Sequence, residues 1–330
     1  MDSNSDPPPP ASRSARPPSE IVVGADFGVP KTAGEQAKKI ILIESERVSG
    51  RTYVVRADGR NERLVRKPAA SDDWKRKRRG WTVPDLATSL ATDRSVTVAA
   101  FDFPFSIPLG LLQSAAFAAR MNRPTFETRS AWAAFVASEL SLTFGNDSAS
   151  GMMGDLGKFA PWRDKAFWTR HNTDRDTNGS PPLKHKFQNL FSMTLAGTAL
   201  IERLRAGGMS AALSSAEFVA ANRYIVETYP AQVSRSVGIT GRYKRDPEAS
   251  IVQAERYLRQ IGISVDVDPA VRQFCVEYRT GSTDPDGADA FLCLVAAICF
   301  REGSVRRCSG PATTADLEQE GCIIVPTATP

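Results

Sequence analysis

Ile21-Val-Val-Gly-Ala-Asp-Phe-Gly28 is a short apolar run that ends in an acidic residue among glycines. A run of this length, closed by turn-forming residues and rich in β-branched side chains, reads as a buried strand. Ser95-Val-Thr-Val-Ala-Ala-Phe-Asp102 has the same form, again with an acid at its end, and Pro104 and Pro108 stop regular structure beyond it. Arg223-Tyr-Ile-Val-Glu-Thr-Tyr-Pro230 is a further strand, carrying Glu227 and closed by Pro230. If these three strands lie side by side and parallel, Asp26, Asp102 and Glu227 meet at one edge of the sheet. In open α/β sheets, sites form at that carboxyl edge.

Working outward, Lys39–Ser45 and Arg51–Arg56 are two more strands, with a hairpin signal at Ser49-Gly50. With the first strand they predict an antiparallel opening. Thr82 caps a short helix with Pro84 in its first turn. Helices are also predicted over Gln188–Arg205, stopped by Gly207-Gly208, over Pro247–Ile261, Pro269–Tyr278 and Asp286–Arg301. Ile323-Ile-Val325 is a candidate last strand. The expected fold is α/β, a mixed five-stranded sheet flanked by helices. It forms a single domain over residues 21–326, with a mostly helical insertion at about 109–221. Residues 1–20, rich in Pro and Ser without an apolar core, are expected to be a disordered tail and not a secretory signal.

Chemistry gathers at the strand ends. The late helix adds Asp286 and Asp289, three apart and so on one helical face. Carboxylates packed this closely repel one another unless a hard cation binds them, and an all-oxygen donor set suits Mg²⁺ or Mn²⁺. Two such ions can stabilise the attacking and leaving oxygens of a phosphodiester displacement. Charge is unevenly placed. Residues 60–80 carry a net +6 and residues 158–188 a net +4, so with +5 overall the remainder is net negative. Lys75, Arg76, Lys77, Arg78 and Arg79 form one basic run, suited to phosphate contacts without base readout. Trp162, Arg163, Trp168, Arg170, Lys184 and Lys186, with Phe167 and Phe187, interleave aromatics and cations as a single-strand binding surface would. A nucleic-acid partner, DNA or RNA, is therefore expected. Solvated loops and a lid packed on the core are the plainer readings of the same segments.

Gly24-Ala-Asp-Phe-Gly28, Phe101-Asp-Phe-Pro-Phe-Ser-Ile-Pro108, Glu227-Thr-Tyr-Pro230 and Asp286-Gly-Ala-Asp-Ala290 occur in an order that resembles the predicted-nuclease family known as domain of unknown function 429. The resemblance covers roughly residues 21–326 and implies a ribonuclease-H-like fold. The Asp286-x-x-Asp-Ala pattern is also similar to the late helix of Holliday-junction resolvases, which supplies metal ligands in that superfamily. By this resemblance Asp26 is the first-strand ligand that bridges the metals and Asp102 the fourth-strand ligand. Asp289 or Asp286 is the helix ligand, and Glu227 a further catalytic carboxylate.

Other readings follow from the same residues. A scaffold that binds nucleic acid or protein would keep the fold without the chemistry. An actin-like ATPase or sugar kinase shares the core but needs Gly-rich phosphate loops, of which Gly24-x-x-x-Gly28 and Gly207-Gly208 are traces. A Ser-His-Asp hydrolase would have to use Ser106 with His171 or His185, and no nucleophile-elbow motif accompanies them. Cys275, Cys293, Cys299, Cys308 and Cys322 include no Cys-x-x-Cys pair, which favours buried thiols in a reducing cytoplasm. No apolar run is long enough to span a membrane, the longest being Ala288–Phe300.

Overall fold

The computed structural model of the protein describes residues 19–28, 39–65, 80–105, 107–141, 165–167, 170, 190–211, 221–241, 243–278, 286–308 and 323–327. It is an α/β fold. Strands β1 (Glu20–Phe27), β2 (Ile40–Ser49) and β3 (Thr52–Val55) form an antiparallel meander around the Ser49-Gly50 turn. After a short helix α1 (Glu62–Val65) and helix α2 (Val83–Thr92), β4 (Val96–Asp102) pairs parallel with β1. Thr82 caps α2 by accepting the Asp85 amide, as its sequence context predicts.

Among the described residues, the helices that follow are α3 (Leu109–Leu112), α4 (Ala115–Met121), α5 (Arg129–Ser141) and α6 (Leu190–Ala206). Then come β5 (Ser210–Ala211), β6 (Tyr224–Glu227), α7 (Pro230–Ser236) and α8 (Pro247–Gln260). The chain ends with β7 (Ser264–Val267), α9 (Pro269–Glu277), α10 (Asp286–Arg301), β8 (Val305–Cys308) and β9 (Ile323–Pro326).

The expected five strands are all present, but the sheet has seven. Its order is β5-β6-β4-β1-β2-β3-β7, and every strand except β2 runs parallel to β1. The two additions are the edges. β5 is two residues long, and β7 is the half-polar Ser264-Val-Asp-Val267, too little apolar sequence to announce a strand. β8 pairs antiparallel with β9 in a separate small sheet. The Ile323-Ile-Val325 expectation therefore describes a real strand, in that second sheet.

Each face of the large sheet is sealed by its own apolar layer. On one face Val23, Ala25, Phe27, Ala99 and Phe101 pack with α2 and with Leu195, Ala196, Leu200 and Leu204 of α6. On the other, Val22, Val98, Ala100 and Val226 pack with α7–α10 and with β9. α6 thus covers the sheet directly, and β5 directly after it extends the sheet edge. At the end of the sheet remote from the acidic residues, buried charges are matched. Glu302 accepts the Tyr53 hydroxyl at 2.6 Å and pairs with Arg47 and Arg51. The Arg223 guanidinium donates to the carbonyls of Leu90, Asp93, Val96 and Gly207.

Candidate metal centre

The pleat of β1 decides where Asp26 points. Side chains alternate between faces, so Val22, Gly24 and Asp26 share the face covered by α10. On β4 the same alternation puts Val98, Ala100 and Asp102 on that face, and Asp26 lies beside Asp102 in the parallel register. Gly24 lets the helix come close. A Cβ there would sit 1.9 Å from the Leu294 nitrogen and 2.5 Å from the Cys293 carbonyl carbon. α10 therefore lies almost against the β1 backbone, and its preceding turn brings Asp289 to the strand end. Gly287 plays the same part toward α9, since a Cβ would meet the Cys275 Cα at 2.8 Å. The Asp286-Gly-Ala-Asp-Ala290 signature is thus two acids set among residues small enough for close packing, with Ala288 and Ala290 buried.

Asp26, Asp286 and Asp289 each bring a carboxylate oxygen within 4.8 Å of the others. Asp289 is buried, and Asp26, Asp102 and Asp286 are half-buried. Both oxygens of Asp289 have partners. The Tyr243 hydroxyl donates to Oδ1 at 2.5 Å and the Lys244 ammonium to Oδ2 at 2.6 Å. Burial pushes the Asp26 carboxyl well above its ordinary range, and the negative charges of Asp289, Asp286 and Asp102 push it further. Asp102 is raised to about 8, by burial first and then by Asp289, with Lys244 opposing. Asp289 is also raised by burial, against the pull of Lys244 and Tyr243. Tyr243, shut in beside these acids, is held far above its ordinary range and stays a hydrogen-bond donor.

This donor set fits a hard divalent cation. It is made of carboxylate oxygens, it is close enough for one ion to bridge, and burial makes its unneutralised charge costly. Asp26, Asp286 and Asp289 would hold the ion, with Asp102 beside Asp26.

No family model, curated protein or solved structure matches this chain.

The remaining expected site residues are placed as follows. Glu227 lies beside Phe101 in the register, and Phe101 belongs to the opposite apolar layer from Asp26 and Asp102. The Glu227 carboxylate accepts the Phe105 amide at 3.2 Å, bracing the loop after β4. Its charge nonetheless reaches Asp102 and helps raise it. Lys75, Arg76, Lys77, Arg78, Arg79, Trp162, Arg163, Trp168, Lys184 and Lys186 lie outside the described residues, as do Ser106, His171 and His185. Arg170 is described and exposed. Phe167 is buried edge-on against Phe117, with ring centres 5.3 Å apart, so it serves the core and not a stacking surface. Gly207 and Gly208 close α6, with Gly208 at a positive φ of 81°.

Tyr243 and Lys244 escape the sequence reading. Gly241-Arg-Tyr-Lys-Arg-Asp246 reads as a basic solvated turn before a helix cap. The local signal that could have raised them is the aromatic next to a lysine at the entrance to α8.

Proposed function

We propose that the protein is a divalent-metal-dependent hydrolase of nucleic-acid phosphodiester bonds, built on a ribonuclease-H-like core. The observation that carries this reading is the convergence of Asp26 from β1 with Asp286 and Asp289 from α10. The antiparallel opening, with two later strands parallel beside β1, supports the fold assignment. The basic segments at residues 60–80 and 158–188 support a polyanionic substrate.

Asp26, Asp286 and Asp289 would hold Mg²⁺ or Mn²⁺, which would supply charge neutralisation at the scissile phosphate and a more acidic water. Tyr243 fixes the rotamer of Asp289 through Oδ1. Asp102, adjacent to Asp26 and raised toward neutral pH, is placed to exchange a proton with water at the same strand ends. Gly24 keeps β1 and α10 close enough for these oxygens to meet.

The test is cleavage of labelled DNA, RNA and hybrid substrates in Mg²⁺, Mn²⁺ or EDTA, with wild type beside Asp26→Asn and Asp102→Asn. Metal-dependent cleavage by wild type alone is expected. Unchanged cleavage by folded Asp26→Asn would sink the reading. A second reading, a scaffold that binds nucleic acid or protein without turnover, is favoured by the Lys244–Asp289 pair, which offers the acids a cation without any metal. It expects salt-sensitive binding with no cleavage by any form.

A further inference from the structure

Lys244 lies between α7 and α8, on a short segment tied to the start of α8 on both sides of it. The Ser250 hydroxyl donates to the Tyr243 carbonyl at 3.1 Å, and Asp246 caps α8 by accepting the Ala249 amide at 3.0 Å. The ammonium reaches Asp289 Oδ2 at 2.6 Å, while the Tyr243 hydroxyl takes Oδ1. Its positive charge acts on Asp26 and Asp102 as well as on Asp289. The Lys244 side chain is 29% exposed against 6% for Asp289, so it stands on the solvent side of the acid it binds.

A two-ion centre needs ions about 4 Å apart that share a carboxylate. Here one of the three converging carboxylates already holds a cation at contact distance. A second divalent ion on Asp289 would lie within a few ångströms of that ammonium and be repelled by it. We infer that Lys244 is the second cation of the centre: a single divalent ion binds among Asp26, Asp286 and Asp289, and the Lys244 ammonium stays on Asp289 Oδ2, facing the incoming phosphate.

This rests on the metal-dependent reading proposed above, and it departs from the two-ion arrangement by assigning one charge to the protein itself. Lys244 is then a binding residue for a non-bridging phosphate oxygen. Tyr243 positions it by fixing the shared carboxylate.

The experiment is Mn²⁺ titration of the full chain by calorimetry, with the bound ions counted by electron paramagnetic resonance. Wild type, Lys244→Arg, Lys244→Met and Asp26→Asn are compared, each checked for a cooperative unfolding transition. Wild type and Lys244→Arg are expected to bind one ion per chain. Lys244→Met, having lost its built-in cation, is expected to bind a second ion or to hold the first at least about tenfold tighter. Mn²⁺ is also expected to restore thermal stability that Lys244→Met loses in EDTA. Two ions in wild type, or a Lys244→Met variant unchanged in count and affinity, would overturn the assignment while leaving the metal reading intact. Binding in Lys244→Met alone would overturn the one-ion count. No Mn²⁺ binding by either form would bring down the metal reading, and this inference with it.

Discussion

Replacing Asp102 by Asn should make the metal-free protein more stable, and the gain should grow with pH. Asp102 has its carboxyl raised from 3.8 to about 8 by burial, by Asp289 and by Glu227, against the pull of Lys244. A raised acid binds its proton more tightly in the native state than in the unfolded chain. Its contribution is therefore fully present below about 4 and is lost as pH rises through about 8. Between about pH 5 and pH 8.5, linkage over that interval gives a loss of about 4 kcal/mol for this one carboxyl, as an upper bound. Asn cannot ionise and escapes the loss. Asp26 is raised in the same sense, so a residual slope should survive in the variant. The assay is urea unfolding in EDTA at both pH values, followed by tryptophan fluorescence. A wild type that gains stability across this range would refute the reasoning, as would an Asn variant with the wild-type slope. Saturating Mn²⁺ should shrink the difference by neutralising the acids directly.

Gly24→Ala should cost about 3 kcal/mol or more, because its Cβ would fall 1.9 Å from the Leu294 nitrogen and drive α10 off the sheet. A thermal melt checks this, and an unchanged melting temperature would mean the close approach is wrong. Arg223→Met leaves the carbonyls of Leu90, Asp93, Val96 and Gly207 without their shared donor at the far end of β4 and β6. It should lose about 3 kcal/mol in urea unfolding. The folded variant should keep wild-type Mn²⁺ affinity, and a large loss of affinity would show that the two ends of the sheet are coupled.

Much of the scaffold is legible in the sequence, for reasons that differ by element. β1 and β4 announce themselves because a strand covered on both faces must be apolar throughout, and their acids stand out against that background. α10 is legible to the residue at both ends, because Asp286 opens an unbroken buried run and Arg301 closes it. The edge strands were missed because an edge needs few apolar contacts, and β7 alternates only two valines with polar residues. The site was legible to the extent that it hangs on strand ends and a helix start. Asp26, Asp286 and Asp289 converge, and Asp102 lies beside Asp26 in the register without joining that three-carboxylate group. Glu227 shows the limit. Its place near a strand end was visible, but the face it takes depends on its register against Phe101, which is a tertiary fact. Lys244 reaches Asp289 from the segment between α7 and α8, and the Tyr-Lys pair there marks a candidate without saying which acid it meets.

The treatment of charge at the two ends of the sheet argues for what the acidic end is for. At the far end, Glu302 meets Arg47, Arg51 and the Tyr53 hydroxyl, and Glu20 meets Arg47 and Arg301. There cations match or outnumber acids, as expected where buried charge serves stability alone. At the carboxyl edge, Asp26, Asp102 and Asp289 draw, among the described residues, on Lys244, and burial and mutual repulsion hold all three carboxyls high. The α10 N-terminus lends some relief to Asp286 and Asp289, but a helix dipole is worth about 1 kcal/mol and does not reach two strands away. Replacing Asp26 or Asp102 by a neutral residue would ease the fold of the metal-free protein. Gly24 instead removes a side chain that would hold α10, and with it Asp286 and Asp289, away from Asp26. Among the described residues Lys244 is the ammonium that meets these acids, and a hard cation bound there would turn the repulsion the fold carries into affinity.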